Sequence, residues 1–345
     1  MIRQDAIAIH HGGAFWRRWE ARAQELGFKA VLVDGLGATL WEDLRGCDFL
    51  LWHLNQDNPV DLAHARSILA AVEYRGLKVF PNQATRWHFD DKIAQVKLLE
   101  AIGAPVARTW VFFSREQALG FVRNAEYPFV FKLRCGAGSM NVRLVPDRSA
   151  AERLVRRMFG GGLAARPAAA VVARTYARAK KAPLGWATLR DRGGRVFPGL
   201  LRLFLRPLKE SGYVIFQEFI PGNDHDIRVT VIGERAFCFR RGVRPHDFRA
   251  SGSGRIVHLT ADELPLDVVR EAMAVSRRLG CQSMAYDFVR RPGSGQPVLL
   301  EMSCVFLAEA VHDCLGYLES GERWHPGHFW PQDLILEDLV DRRAD

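Results

Sequence analysis

Apolar positions along the chain fall into two rhythms. Short unbroken runs at Ile7 to His10, Lys29 to Val33, Asp48 to Leu54 and Leu77 to Phe80 have the length and composition of buried strands. Between them, Ala14 to Leu26 carries Phe15, Trp19 and Leu26 on one side of a helix, Trp41 to Arg45 makes a helical turn, and Ala63 to Tyr74 makes a second full helix. Asp34-Gly35-Leu36-Gly37 and Arg75-Gly76 punctuate the pattern. Strands alternating with helices predict a small parallel α/β domain over residues 1–88. His10 and His11, beside Gly12-Gly13, are candidates to line a pocket at the C-terminal end of a strand; plain turn residues are the alternative.

The rhythm then changes. A helix is expected from Lys92 to Ala101, capped by Asp90 or Asp91, with Ile93, Val96, Leu99 and Ile102 as its buried stripe and Gly103 and Pro105 stopping it. Strands follow at Thr109 to Phe113, Phe129 to Leu133 and Val142 to Val145, then a basic amphipathic helix from Arg148 to Met158. Phe159 to Ser211 is rich in Arg and Lys, and reads as a solvated helical hairpin or as a surface for an anionic partner. Beyond it the pattern is almost all strand. Tyr213 to Phe216 runs into Gln217-Glu218-Phe219-Ile220; Ile227 to Ile232 and Arg235 to Arg240 precede a basic loop to Arg255; Met284 to Val289 and Pro297 to Ser303 form a hairpin across a Pro-Gly-Ser-Gly turn. Gly327 to Val340 closes the chain as a helix.

Charges that interrupt these apolar runs supply the candidate chemistry, since an unpaired buried charge costs several kcal/mol. Lys132 lies within an apolar strand, and the loop Arg134 to Asn141 (RCGAGSMN) follows it. Glycine-freed amides can wrap phosphate oxygens while a lysine supplies a point charge. The loop matches neither the Walker nor the dinucleotide spacing. Lys92 opens a helix, where the dipole disfavours a cation unless an anion is present. Asp226 and Arg228 stand at the mouth of a strand, and hairpin pairing brings Asp287 and Glu301 to one face. Two such carboxylates suit Mg²⁺ carrying nucleotide phosphates; the alternative is an acid in a core ion pair with an arginine.

Composition narrows the classes. A length of 345 residues implies two or three domains, and 48% apolar with 25% charged residues is the balance of a soluble globular protein. Six scattered cysteines with no C-x-x-C pair, no run of membrane-spanning length and no signal-peptide pattern in MIRQDAIAIHHGG together predict a cytoplasmic protein without disulfides or zinc. The net charge of +9 favours anionic partners without choosing among them.

The motifs DDK (Asp90 to Lys92), FKLRCGAGS (Phe131 to Ser139), QEFI (Gln217 to Ile220), DIR (Asp226 to Arg228), DFRAS (Asp247 to Ser251), YDF (Tyr286 to Phe288) and LEMS (Leu300 to Ser303) together resemble the ATP-grasp superfamily, in particular its glutathione synthetase and RimK-type carboxylate–amine ligases. The resemblance spans about residues 80 to 305. It implies an α/β and α+β architecture: an N-terminal parallel domain (1–88), a central subdomain (89–220) carrying an insertion at about 159–211, and a C-terminal subdomain (221–345) with the metal site. It further implies that Lys92 and Lys132 hold ATP phosphates, with Ser139 and Ser251 alongside, and that Gln217, Glu218, Phe219 and Ile220 meet the adenine. Asp226 is placed near the sugar, Arg228 and Arg249 at the transferring phosphoryl group and the oxyanion, and Asp287, Glu301 and Ser303 on Mg²⁺, with Mn²⁺ as the alternative ion. Ser251 and Ser303 stand where the family usually has asparagine, and the stretch from Lys132 to Glu218 is longer than RimK-type enzymes need. The expected reaction joins a carboxylate to an amine with release of ADP and phosphate; a nucleotide-binding module without turnover is the alternative. Nucleic acid is not an expected partner.

Overall fold

The computed structural model describes residues 5–56, 58, 60–136, 138–165 and 209–341. The chain divides into two compact units, one formed by residues 1–106 and 220–345 and the other by residues 107–219.

The first unit opens with β1 (Ala6–His10), α1 (Trp16–Glu25), β2 (Lys29–Val33), α2 (Leu40–Asp43), β3 (Cys47–Leu51), α3 (Arg66–Tyr74, preceded by a π-helical turn at Asp61–Ala65) and β4 (Lys78–Phe80). The four strands form a parallel sheet in the order β2-β1-β3-β4. Every residue of β1 is buried, as expected of a strand covered on both faces. Short α4 (Gln83–Arg86) leads to α5 (Lys92–Ala101). Asp91 is the residue that caps α5: its carboxylate accepts the amides of Ile93 and Ala94, while Asp90 takes a φ of 54°.

The second unit holds β5 (Thr109–Phe112), α6 (Arg115–Asn124), β6 (Phe129–Lys132), β7 (Arg143–Val145), α7 (Arg148–Met158), β8 (Leu163–Ala164), β9 (Lys209–Glu210) and β10 (Val214–Glu218). Strands β5-β10-β6-β7 make an antiparallel sheet whose one face packs Trp110, Phe129 and Phe216 around Phe121 of α6. The expected insertion over Phe159 to Ser211 lies, for residues 166–208, outside the described residues. On either side of that stretch β8 and β9 pair antiparallel, Leu163 opposite Glu210.

Back in the first unit follow β11 (His225–Ile232), β12 (Arg235–Gly242), β13 (Ile256–His258), α8 (Leu266–Leu279), β14 (Ser283–Arg290), β15 (Pro297–Ser303), α9 (Ala308–His312), β16 (Gly316–Glu319), β17 (Trp324–Pro326) and α10 (Pro331–Asp341). These strands build a seven-stranded sheet ordered β15-β14-β11-β12-β16-β17, with β13 on β12. Helix α8 carries no expectation in the sequence reading; it packs Val268, Val269, Ala272 and Val275 inward and ends on Gly280 in the left-handed region. α10 binds back to α1: the Trp19 indole donates to the Gln332 carbonyl, and Arg18 and Arg22 pair with Asp333 and Glu337. Among the described residues no helix is long and apolar enough to cross a membrane.

Candidate functional site

The turn between β11 and β12 sets the register that builds the site. Ile232 faces Arg235 across Gly233-Glu234, so counting back places Asp226 opposite Arg241 and Arg228 opposite Phe239. On its other edge β11 sets Arg228 against Asp287 of β14, and β14 sets Asp287 against Glu301 of β15. Side chains two apart share a face. Arg241, Asp226, Arg228, Asp287 and Glu301 therefore line up across four strands.

They are bound to one another. Arg228 holds Asp287 through two bonds of 2.6 and 2.7 Å, and Arg241 holds Asp226 through two of 2.7 and 2.6 Å. Arg241 also reaches Asp287 at 2.8 Å. Lys92, from the first turn of α5, lies 3.1 Å from Glu301. That contact supplies the anion its position at the helix N-terminus requires. Three acids thus face three bases. Burial by itself raises the Asp287 pKa, but the guanidinium groups of Arg228 and Arg241 overcome it and hold the carboxyl well below its usual range. Burial and the neighbouring charge of Asp287 push Asp226 up, against Arg241. Burial lowers the Arg241 pKa, and Asp287 and Asp226 more than restore it.

Arg241 is the residue the sequence reading missed, because the third strand was expected to end at Arg240. The signal was the two-residue turn, whose register reaches Arg241. Ile220 is buried at the start of this stretch. Arg249 and Ser251 lie on the loop after β12, where Asp247 grips the Arg249 guanidinium at 2.6 Å and the Ser251 carbonyl accepts a bond from Arg244. The Ser303 hydroxyl is turned onto its own chain: it donates to the Val305 carbonyl at 2.9 Å and accepts the Val305 amide at 3.2 Å.

The second unit carries the other expected residues on its own sheet. Register puts Lys132 opposite Ile215 and Gln217 opposite Val130, on the face away from the Phe121 cluster. Both are buried, and Gln217 donates to the Thr109 hydroxyl at 3.0 Å. Glu218 extends the pairing at its strand's end, accepting the Arg108 amide at 2.9 Å, and Phe219 follows half-buried. After Lys132, Gly136, Gly138, Ser139 and Asn141 all take positive φ, so the loop turns its backbone repeatedly. Its start is anchored by the Arg134 amide on the Tyr213 hydroxyl.

Of the two histidines after β1, His10 is buried and His11 exposed. The His10 ring lies 4.2 Å from that of Trp52 and under Gly12, whose Cβ, if present, would fall 2.2 Å from its Nε2.

A pair of adjacent carboxylates is donor chemistry that fits Mg²⁺, which commonly takes one or two and fills its shell with water and phosphate oxygens. Asp287 and Glu301 supply that pair; Ser303, as placed, does not extend it. Among the described residues no three His, Cys, Asp or Glu side chains cluster to hold a metal.

No family profile and no curated protein matches the sequence. Solved structures do. A RimK-domain ATP-grasp protein from Sphaerobacter thermophilus shares 18% identity at a TM-score of 0.56, over 97% of this chain and 98% of that one. D-alanine–D-alanine ligase from Bacillus anthracis, in complex with ATP, shares 14% at 0.55 over 99% and 98%. N5-carboxyaminoimidazole ribonucleotide synthetase from Thermotoga maritima shares 13% at 0.57 over 98% and 76%. At such identities the likeness is one of fold. The chain has the ATP-grasp fold, with a parallel N-terminal sheet and antiparallel sheets after it.

Proposed function

We propose that this protein is an ATP- and Mg²⁺-dependent ligase that joins a carboxylate to an amine. The observation that carries the reading is the cross-strand line Arg228–Asp287–Glu301, with Lys92 against its end, on a sheet of this fold. A substrate carboxylate oxygen attacks the γ-phosphorus, the bond to the β-phosphate oxygen breaks, and ADP leaves. The amine then attacks the acyl carbon, phosphate departs, and the nitrogen loses a proton. No protein nucleophile is needed; catalysis is positioning and charge neutralisation. Lys92 and Lys132 hold phosphates, with the loop around Ser139 and with Ser251. Gln217 to Ile220 meet the adenine, Asp226 the sugar side, and Arg228 and Arg249 the transferring group. Mg²⁺, or Mn²⁺, held by Asp287 and Glu301 with Ser303 beside them, supplies neutralisation of phosphate charge. The likeness in fold to D-alanine–D-alanine ligase supports the reaction class; the substrate pair for this chain is set by its own N-terminal domain and loops.

Lys132→Ala tests the phosphate assignment. It removes a charge-assisted bond worth roughly 1.5–3 kcal/mol. ATP affinity by calorimetry is expected to drop more than tenfold with the melting curve intact; a change under about twofold rejects the role. One observation favours a second reading, a nucleotide-binding module without turnover: the Ser303 hydroxyl is committed to the Val305 backbone. ATP binding with no Mg²⁺-dependent ADP release across a panel of carboxylates and amines selects that reading.

A further inference from the structure

We infer that the ion pairs of Arg241, Arg228 and Lys92 exclude a divalent metal from the free protein, so that metal enters only together with nucleotide phosphates. The inference rests on the proposed assignment of Asp287 and Glu301 as metal ligands. Both Asp287 oxygens take guanidinium bonds, from Arg228 at 2.6 and 2.7 Å and from Arg241 at 2.8 Å. Glu301 is met by Lys92 at 3.1 Å. Asp226 holds Arg241 in place with a second bidentate bond and has no part in the acid pair itself. The six groups sum to zero charge, and Asp226, Asp287, Lys92 and Arg241 are all buried.

A bare divalent ion added to this cluster leaves two uncompensated positive charges against largely buried groups, Glu301 at the edge being 32% exposed, and burying net charge is unfavourable. Added with a nucleotide diphosphate, the same ion brings compensating anions. Phosphate oxygens give the guanidinium and ammonium groups new acceptors, and the carboxylate lone pairs are released to the ion. Arg241 is here a positioning residue: it bridges an acid that binds metal and an acid that does not. Removing Arg241 and removing its other partner, Asp226, therefore have opposite effects. Arg241→Gln removes the competing cation from Asp287. Asp226→Asn removes the alternative anion, so Arg241 turns more fully to Asp287.

The test measures Mn²⁺ binding to the full chain from the loss of the free-ion electron paramagnetic resonance signal, alone and with saturating ADP, against ADP without protein. The wild type alone is expected to bind Mn²⁺ at least about tenfold more weakly than with ADP. Arg241→Gln should raise the affinity of the free chain toward the ADP value, and Asp226→Asn should lower the affinity measured with ADP. Lys92→Met, which frees Glu301, covers the case in which Arg241→Gln does not fold; it too should raise free-chain affinity. Equal Mn²⁺ affinity with and without ADP overturns the inference and leaves the metal assignment standing. Absence of binding in both conditions, by a chain that binds ADP, overturns the metal assignment itself. Matching signs for Arg241→Gln and Asp226→Asn in two folded variants reduce Arg241 to a structural brace.

Discussion

Two sheets of the same unit bury titratable groups in opposite ways. At the end of the parallel sheet, His10 and His53 are buried and uncharged: burial drops each imidazole to a pKa of about 4, in His10 against the charge of Asp34. Their Nδ1 atoms accept backbone amides, from Gly35 at 2.9 Å and Ala14 at 3.4 Å, an arrangement that goes with the neutral ring; the His53 Nε2 is buried with no hydrogen-bond partner among the described residues. The rings pack as aromatics, His53 on Phe15 at 3.9 Å between centroids. On the antiparallel sheet the buried groups keep their charge and neutralise one another. An imidazole stripped of charge has nothing to exchange with an anion. A paired carboxylate or guanidinium can trade its partner for a ligand of the same charge, so the second arrangement is the one suited to phosphate and metal.

The comparison breaks most forcefully at Asp287. Asp287→Asn leaves Arg228 and Arg241 facing the single carboxylate of Asp226, and unpairing a buried ion pair costs about 3–5 kcal/mol. Urea titration should show a loss of that order in the free protein, largely restored by saturating ADP, whose phosphates supply the missing anion. An unchanged midpoint means the network contributes nothing to holding the sheet.

Much of this was legible in the sequence, for identifiable reasons. Strands such as Pro297–Ser303 and the helix Lys92–Ala101 were readable to the residue because turns and caps bound them. The ATP-grasp fold followed from motifs in order, and the hairpin carrying Asp287 and Glu301 from its turn; their facing needs a bulge as well, since Phe288 pairs with Leu299 and Asp287 with Glu301, leaving Leu300 as the extra residue. What stayed hidden was pairing. Sequence shows that Asp287 interrupts an apolar run, yet whether it meets a metal or an arginine depends on which strand lies on its other edge, and β11 arrives there from some sixty positions away. Arg241 was hidden by a boundary error of a single strand's end, the least certain feature of any strand. Helix α8 was not foreseen, although Val268, Val269, Ala272, Met273, Val275 and Ser276 make a regular buried stripe over Leu266–Leu279.

The second prediction tests the neutral histidines. Unfolded, His53 takes its proton near pH 6.5; folded, only near pH 4. Between those values the unfolded chain binds more protons, so the stabilisation is complete above about pH 6.5 and is lost as pH falls toward 4. The shift corresponds to about 3 kcal/mol for this one group. Wild type and His53→Gln melted across that range should converge on acidification, the variant being less stable at neutral pH and less sensitive to acid. Parallel curves would show that His53 is protonated in the native state, and the contrast between the sheets would fall.

The smallest effect comes from the backbone that seals each site. Gly13 lies against His53: a Cβ there would sit 2.4 Å from the His53 carbonyl oxygen and 2.9 Å from its Cβ, atoms that cannot swing aside. Gly242, next to Arg241, would place a Cβ 3.4 Å from the Arg255 side chain, an ordinary contact with a movable group. Gly13→Ala should therefore cost about 1–3 kcal/mol by overpacking. Gly242→Ala should stay within about 0.5 kcal/mol of wild type. The two variants also separate rigid from exchangeable packing. Gly13→Ala displaces the His53 ring and should flatten the acid dependence described above, whereas Gly242→Ala should leave Mn²⁺ binding with ADP unchanged. A tolerated Gly13→Ala with unaltered acid dependence would mean that the end of the parallel sheet yields as readily as the end of β12, and that its histidines are not locked in place.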